Sequence, residues 1–129
     1  MSTVPTPASL EYAEAVHRLA ALVPPGVVLS YGDVAELLGS GGPRQAGKAM
    51  ASSPSATPWW RIIRADGTLP PLLAEQGNTA WVSEDTPRKG QRVDMSQARW
   101  QPDDAQWEQI QSLKAALQAS YLSPADDQL

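Results

Sequence analysis

Apolar residues recur every three or four positions near the start of the chain and predict an amphipathic helix. The apolar positions are Leu10, Ala13, Val16, Leu19 or Ala20, and Val23. Ser9 is placed to cap this helix, and the Pro-Pro-Gly sequence at residues 24–26 ends it. We therefore expect a first helix over residues 10–23, with its apolar face packed on the core.

A second helix is predicted directly after a short aliphatic run at residues 27–29. Ser30 and Asp33 have the spacing of a capping box, in which each side chain accepts a hydrogen bond from the other residue's backbone. The helix should therefore begin one or two residues after Ser30. It should end at Leu38, because Gly39 follows as a C-terminal stop.

A third helix is predicted from Pro43, which suits a first helical turn, to about Ser52, because Pro54 prevents a longer one. Gly47 lies inside it, although glycine costs a helix about 1 kcal/mol relative to alanine. Close approach to another backbone, or tight packing against a neighbouring helix, would explain that glycine. The second and third helices together have the outline of a helix-turn-helix unit, which unrelated helical domains also share.

The middle of the chain shows weaker patterns. Trp59 and Trp60 precede an aliphatic run that ends at an Asp-Gly turn, and paired tryptophans more often fill a core than contact a ligand. Residues 68–86 are predicted to be mostly loop, because two prolines, a glycine and an asparagine interrupt any regular period. Residues 91–95 are predicted to form a short strand.

The last predicted helix starts near Pro102, where Asp103 and Asp104 would favour the positive end of the helix dipole. One face of it would carry Trp107, Ile110, Leu113 or Lys114, Leu117 and Tyr121. Such an apolar stripe must cover part of the core. We expect residues 1–122 to form a single domain and residues 123–129 to be a disordered tail.

The composition excludes several kinds of chemistry. The chain has no cysteine and a single histidine, His17, so it lacks disulfides, thiolate nucleophiles and the usual ligands of a catalytic metal. We assign no role to His17 and expect neither a metal nor a cofactor. No stretch approaches the ~20 apolar residues of a membrane span, and the start lacks a leader pattern, so we expect a soluble intracellular protein.

The net charge of −4 argues at first against nucleic acid, whose phosphates are bound by lysine and arginine. The acidic residues, however, are concentrated toward the C-terminal end. Residues 101–129 carry a net charge of −4, whereas residues 27–67 carry +1. The acidity therefore lies mostly outside the predicted helix-turn-helix unit.

Three sequence blocks occur together between residues 23 and 63. They read Val-Pro-Pro-Gly-Val-Val-Leu-Ser-Tyr-Gly-Asp-Val-Ala-Glu-Leu-Leu-Gly at 23–39, Pro-Arg-Gln-Ala-Gly-Lys-Ala-Met at 43–50, and Pro-Trp-Trp-Arg-Ile-Ile at 58–63. In this order and spacing they resemble the DNA-binding domain of the O6-alkylguanine-DNA alkyltransferase family. The joint match is far more specific than any one block.

The third block differs from that of the family's repair enzymes, which carry a Pro-Cys-His-Arg motif whose thiolate takes the alkyl group. Here Trp59 and Trp60 stand in place of the cysteine and the histidine. An indole has no lone pair comparable to that of a thiolate, so alkyl transfer to this chain is chemically excluded. Tryptophan in place of cysteine marks the alkyltransferase-like subgroup, whose usual motif is Pro-Trp-His-Arg, and Trp60 departs from that motif.

The resemblance implies that the third helix enters the minor groove of DNA. Arg44 would be the finger that replaces the extruded nucleotide in the base stack, and Tyr31 would lie beside the target phosphate. The whole DNA-contacting set would be Tyr31, Arg44, Gln45, Gly47, Lys48 and Ser52. Small side chains would let this helix approach a narrow groove. They are those of Ala46, Gly47, Ala49 and Ser52.

The same resemblance implies a pocket for the extruded alkylguanine, in which Trp59 would stack on the base. Trp60, Arg61 and Ser53 would complete that pocket. Ser53 stands where the family commonly has asparagine, and it can make fewer hydrogen bonds. The family's next helix, which carries a glutamate, cannot be aligned with residues 72–88.

The implied fold is mainly α, a helix-turn-helix (winged-helix-like) DNA-binding domain with a short β segment and an added C-terminal helix. The implied function is to bind O6-alkylguanine in double-stranded DNA without alkyl transfer and to flag the lesion for nucleotide-excision repair proteins. We expect a monomer, no membrane partner, and a cytoplasmic location that is nucleoid-associated in a bacterium.

Three other functions are open. A helix-turn-helix regulator would read bases in the major groove, but beyond Arg44, Gln45 and Lys48 the third helix has no long polar side chain. Metal-assisted hydrolysis of a base would need ligands that the chain lacks. An interaction protein that kept the fold and lost DNA binding is favoured by the acidic charge and by Trp60, and opposed by the retained Arg44 and Tyr31.

Overall fold

In a computed structural model of the chain, the structure describes residues 11–121, with side chains described as far as residue 119. The predicted cap at Ser9 and the predicted tail at residues 123–129 lie outside this range. Within it there are six α-helices: α1 (Tyr12–Leu22), α2 (Tyr31–Leu38), α3 (Pro43–Ala51), α4 (Pro71–Ser83), α5 (Met95–Ala98) and α6 (Asp104–Tyr121). The strands are β1 (Leu29–Ser30), β2 (Ile62–Ile63), β3 (Arg88–Lys89) and β4 (Arg92–Val93).

Two apolar clusters hold these elements together. The larger one lies among α1, α2, α3 and α6, and includes the fully buried Val16, Leu38 and Ile110. The smaller one lies under α4 and the β3–β4 hairpin, where Trp81 and Val93 are buried. A short 3₁₀ turn at Trp59–Arg61 joins the two regions.

The strands form two small sheets. β1 pairs with β2 in parallel, with Leu29 opposite Ile62, and this pairing fixes the 3₁₀ turn beside the start of α2. β3 and β4 form an antiparallel hairpin in which Lys89 lies opposite Arg92. Sequence reasoning predicted the β4 part of that hairpin but gave it no partner strand.

The predicted helix-turn-helix geometry is confirmed in detail. Ser30 Oγ accepts a hydrogen bond from the Asp33 amide at 3.0 Å, and Asp33 Oδ2 accepts one from the Ser30 amide at 2.9 Å. Gly39 ends α2 in the left-handed conformation, with a φ of 70°. Pro43 occupies the first turn of α3. These local signals fix both helix starts and the turn between them.

The first helix is shorter than expected, because it begins at Tyr12, with Glu11 at the N-cap position, rather than directly after Ser9. The last helix begins at Asp104, and its apolar stripe is buried at Ile110 and Leu117. Trp107 lies on the expected stripe but remains 44% exposed, so the burial of α6 starts about one turn later. No helix of the described chain is long and apolar enough to cross a membrane.

The prediction that residues 68–86 are mostly loop is wrong, because thirteen of them form α4. Pro71 is tolerated since it lies in the first helical turn, where an amide has no partner within the helix. Gly77 lies within α4, at a buried position where the neighbouring residues leave no space for a larger side chain. A Cβ at Gly77 would collide with the terminal methyl Cδ1 of the buried Leu69. Tertiary packing thus explains residues that look like helix breakers in the sequence.

Candidate nucleic-acid interface

The third helix presents its long polar side chains to solvent. Arg44, Gln45 and Lys48 are exposed, and Arg44 lies in the first turn of α3. Gln45 also has a structural role, since its Oε1 accepts a hydrogen bond from the Gly42 amide at 2.9 Å and caps the helix. The exposed residues of α3 thus include two cations and one side-chain amide.

The small residues of α3 are divided between two environments, which differs from the sequence-based interpretation. Ala46 is fully buried and Ala49 is 6% exposed, so both pack on the core and neither lies on an open face. Ser52 is exposed, but its hydroxyl donates to the Ala49 carbonyl at 3.0 Å. His17 reaches the same carbonyl, with Nε2 at 2.7 Å, and so attaches α1 to the end of α3.

Gly47 packs against the ring of Tyr31. A Cβ at Gly47 would lie 3.7 Å from Tyr31 Cδ2, which is ordinary van der Waals contact. Since a Cβ would fit at this distance, packing against α2 does not require a glycine, and close approach of α3 to another backbone stays a prediction. The contact holds the Tyr31 ring beside α3.

An apolar recess of about 90 Å³ opens next to these two residues. It is lined by Tyr31, Gly47, Met50, Ala51, Trp59, Ile62, Leu69, Pro70 and Leu73. Trp59 is half-buried, because one part of its side chain packs on both apolar clusters while another part faces the recess. The structure thus brings Tyr31, Gly47 and Trp59 together around one small, mostly apolar site.

The back wall of the recess depends on α4. The Cβ position of Gly77 is 3.6 Å from Trp59 Cζ3, in addition to its close approach to Leu69. Leu72, in the first turn of α4, is 96% exposed, and Leu73 after it lines the recess. Leu73 therefore contributes an apolar side chain to the recess, and the adjacent Leu72 is an exposed apolar residue beside it.

Trp60 and Arg61 do not line the recess, and Ser53 is absent from its lining as well. Trp60 Nε1 donates to Glu84 Oε2 at 2.9 Å, and Arg61 Nε donates to Glu84 Oε1 at 3.1 Å. Arg61 Nη1 also donates to the Val23 carbonyl at 2.9 Å. These two residues therefore connect the 3₁₀ turn to the end of α1 and to the residue after α4.

Glu84 is the residue that sequence reasoning missed in this network. Burial would raise the pKa of its carboxyl, but hydrogen bonds from Arg61, Trp60 and the Gly26 amide outweigh burial and hold that pKa below its ordinary value. The carboxyl side chain is 13% exposed, and that of Arg61 is 15% exposed. Glu84 is therefore an ionised carboxylate with both oxygens occupied, which orients the turn that carries Trp59.

Arg64 is a second residue that sequence reasoning did not assign. It is exposed, it follows β2, and its charge partly offsets the effect of burial, which raises the pKa of Tyr31. Tyr31 therefore keeps its phenolic proton at neutral pH and can donate a hydrogen bond. Within residues 11–121 no group of three or more histidine, aspartate and glutamate side chains is arranged to hold a metal ion.

Comparison with known proteins decides the family. The model of the 6-O-methylguanine DNA methyltransferase family, DNA-binding domain, matches residues 11–84. Proteins named DNA base-flipping protein, from Escherichia coli (strain K12) and from Shigella flexneri, are each 33% identical to this chain over 96 residues. Each alignment covers 69% of this chain and 74% of the relative. The chain belongs to this methyltransferase DNA-binding family.

Two solved structures show that the family fold is the fold of this chain. Atl1 of S. pombe, in complex with damaged DNA containing O6-carboxymethylguanine, has a TM-score of 0.61 at 22% identity and covers 70% of this chain and 94% of that one. A second S. pombe structure, of ATL in complex with DNA, has a TM-score of 0.62 at 21% identity and covers 70% and 95%. The expected mainly helical, helix-turn-helix fold is confirmed.

Membership of the family gives the 3₁₀ turn a specific meaning. The turn carries Trp59 and Trp60, and the chain has no cysteine. Trp60 still carries a ring N–H, and it uses that N–H on Glu84. Glu84 thus holds Trp60, and of these two tryptophans it is Trp59 that lines the recess.

Proposed function

We propose that this protein binds double-stranded DNA containing O6-alkylguanine and holds the alkylated base, rotated out of the duplex, in the recess beside Trp59. One observation carries the proposal: the half-buried ring of Trp59 faces an apolar recess that adjoins α3. An aromatic face at such a site supplies stacking, which is worth about 1 to 3 kcal/mol per base. The names of the relatives, a DNA base-flipping protein and Atl1 bound to damaged DNA, support this reading.

The exposed face of α3 would contact the minor groove. Arg44 is exposed in the first turn of this helix, where a long planar side chain can fill the space left by an extruded nucleotide. Tyr31 keeps its proton and lies near Arg64, so its hydroxyl and that guanidinium can bind the phosphate of the rotated nucleotide together. Lys48 and Gln45 would contact the backbone on either side.

The lining of the recess gives a reason for a preference for alkylated bases. Met50, Leu69 and Leu73 present apolar atoms, which suit an alkyl group and offer no compensation for a polar substituent. A guanine with an alkyl group on O6 also pairs poorly, so its extrusion costs less than that of a normal base. Both effects act in the same direction.

Alkyl transfer is not part of the proposed function. The chain contains no cysteine, and the indole of Trp59 stands at the position of the family's nucleophile. The bound lesion would therefore remain chemically unchanged, and the protein would act as a reader of damage. We propose that it acts as a monomer in the cytoplasm, on nucleoid DNA in a bacterium, and that nucleotide-excision repair proteins recognise its complex with DNA.

A paired titration tests the central proposal. Two duplexes that differ only in one guanine, either normal or O6-methylated, are titrated with the protein and followed by fluorescence anisotropy. We expect tighter binding of the methylated duplex, and an unchanged protein mass after long incubation. Equal affinities for the two duplexes, or a methyl group on the protein, would refute it. The repair step is tested separately, by whether the protein increases incision near the lesion in a reconstituted excision reaction.

A further inference from the structure

The β3–β4 hairpin carries three cations in a short segment that lies beyond residues 11–84, the part of the chain that the family model matches. Arg88, Lys89 and Arg92 are all exposed. Arg88 is attached to α4, because its Nη1 donates to Asn78 Oδ1 at 2.7 Å. The other two lie directly opposite each other across the hairpin. Like charges at opposed positions destabilise a hairpin, so an anion bound between them would relieve the repulsion.

The nearest carboxylates, Asp66 and Asp94, interact with these cations electrostatically but form no ion pair with them within 4 Å. Asp66 Oδ1 accepts hydrogen bonds from the amide and the hydroxyl of Thr68, at 3.1 and 2.6 Å. Asp94 Oδ1 accepts two similar bonds from Ser96. Within residues 11–121, the ion pairs closer than 4 Å are Arg18–Glu14, Arg61–Glu84 and Arg99–Asp33, and none of them involves the hairpin.

The hairpin cations are continuous with Arg64. The hydrogen bonds from Thr68 contribute most to the lowered pKa of Asp66, and the charges of Arg64 and Arg92 both add to it. Both guanidinium groups therefore lie near the same carboxylate. Arg64 in turn acts on Tyr31, which lines the recess. The backbone shows the same proximity: Arg64 directly follows β2, whose Ile62 lines the recess, and Gly67, in the turn closed by the Arg64–Thr68 hydrogen bond, accepts a hydrogen bond from the Val93 amide of the hairpin. Arg64 thus connects the recess with the hairpin, and Asp66 lies among these cations.

A groove connects the same two places. It lies between the first turn of α4 and the hairpin, and Leu69, Pro71, Lys89 and Arg92 are among its lining residues. Leu69 also lines the recess beside Trp59. Leu69 lines both, and Pro71 and Leu73 of the first turn of α4 line the groove and the recess respectively, so the groove that carries Lys89 and Arg92 adjoins the recess.

The hairpin is held in a fixed position by the core. Val93 is 2% exposed, and its amide donates to the Gly67 carbonyl at 2.9 Å. The Asp94 amide donates to the Pro87 carbonyl at 2.9 Å, which closes the base of the hairpin. Cations on a rigid hairpin lose less conformational entropy when they bind than cations on a mobile loop.

We propose that Arg64, Lys89 and Arg92 form a phosphate-binding strip for the DNA backbone beside the extruded nucleotide. The inference rests on the proposed function and adds to it a contact surface outside the helix-turn-helix unit. Phosphate contacts hold DNA in position and carry little sequence or lesion information. The strip should therefore increase affinity for all duplex DNA and leave the preference for alkylated guanine unchanged. It also explains how a chain with a net charge of −4 binds a polyanion.

Salt titrations of single variants test the strip. Lys89→Gln and Arg92→Gln are compared with Arg18→Gln, which removes a cation in a recess between α1 and α6, away from the hairpin. Each hairpin variant should reduce the slope of log Kd against log salt concentration by about 0.9, the contribution of one phosphate contact. The reduction in this slope should be the same for the methylated and the normal duplex. Arg18→Gln should leave the slope at the wild-type value.

Thermal melting separates this effect from a loss of structure. Because the two opposed cations repel each other, neither hairpin variant should melt below the wild-type temperature. If the hairpin variants have the wild-type salt slope, or if their melting temperatures fall together with their affinities for DNA, the proposed strip is refuted. If the wild-type protein binds both duplexes equally, the proposed lesion recognition fails while the slopes still test the strip. If it binds no DNA, both proposals are refuted.

Discussion

The indole nitrogen of Trp60 donates a hydrogen bond of 2.9 Å to the carboxylate of Glu84, although 24 positions separate the two residues in the chain. Arg61 binds the same carboxylate and lies over the Trp60 ring, with its guanidinium carbon 5.4 Å from the ring centre. The arrangement turns Trp60 away from the recess and edge-on to Trp59, at 5.5 Å between ring centres. Orientation of Trp59 therefore depends on a carboxylate in another part of the fold.

Replacement of Trp60 by phenylalanine should lower stability, chiefly by removing its hydrogen bond to Glu84. The ring beneath Arg61 is retained, but Glu84 loses one donor, and a hydrogen bond to a charged group contributes about 1.5 to 3 kcal/mol. Urea unfolding measures the change. Trp107→Phe is the matched control, because that ring is 44% exposed, and its change should stay within ~0.5 kcal/mol. Equal effects of the two substitutions would show that the bond to Glu84 is energetically neutral.

The pH dependence of stability should contain a contribution from Glu84. Its pKa is lower in the folded protein than the unfolded value of about 4.3, so its stabilisation is complete above that pH. The stabilisation is lost as the pH falls through the folded-state pKa. Glu84→Gln should cost about 3 kcal/mol at neutral pH, because Arg61 keeps a buried charge without its partner.

The same variant should also lose less stability than wild type on acidification. The variant would still lose some stability at low pH, because Asp66 and Asp94 also have lowered pKa values. Hydrogen bonds from Thr68 and Ser96 are the chief cause of those shifts. Glu75→Gln, at an exposed position of α4, serves as the control and should follow the wild-type curve. If wild type and Glu84→Gln lost the same free energy of unfolding on acidification, the assigned role of this carboxylate would be contradicted.

Trp59→Ala should separate lesion recognition from general DNA binding. Loss of stacking should cost about 1 to 3 kcal/mol of affinity for the methylguanine duplex, and much less for the normal duplex. Since Trp59 is half-buried, the substitution will also lower the stability of the fold. The titrations are therefore done at a temperature at which melting curves show that the variant is folded. Trp107→Ala on α6 controls for the loss of a tryptophan. A variant that keeps the wild-type ratio of the two affinities would exclude the recess as the base site.

Arg44→Ala should weaken binding to methylguanine DNA by about tenfold or more, which is ~1.4 kcal/mol, without a change in melting temperature. The reason is that Arg44 is exposed in the free protein and so contributes little to folding. Arg44→Lys distinguishes two mechanisms, because lysine keeps the charge and lacks the planar group that can stack in the duplex. Full rescue by lysine would mean that Arg44 acts as a phosphate contact only.

Gly67→Ala should destabilise the protein by several kcal/mol and release the hairpin. Gly67 has a φ of 88°, and a Cβ there would lie close to the Val93 carbonyl oxygen, so strain of about 1 to 3 kcal/mol is joined by a steric clash with backbone. Gly90→Ala measures the backbone strain without the clash, because Gly90 has a φ of 67° but nothing within 4 Å of its Cβ position. Thermal melting of both variants should show the larger fall for Gly67→Ala.

Much of the helix-turn-helix unit could be predicted from the sequence because its signals act over short distances. The capping box joins Ser30 to Asp33, and Gly39 and Pro43 each fix a helix end through their own backbone. The order of the three motif blocks was enough to identify the family. None of these inferences required knowledge of which distant residues meet.

Only the tertiary structure decided what surrounds Trp59. The sequence suggested loop where α4 lies, because Gly77 resembles a helix breaker until Leu69 and Trp59 are seen against it. The resemblance implied a pocket that includes Trp60 and Arg61, and the structure shows that both bind Glu84 and do not line the recess beside Trp59. Such contacts join residues far apart in the chain, and their free energy depends on burial and geometry that no local pattern encodes.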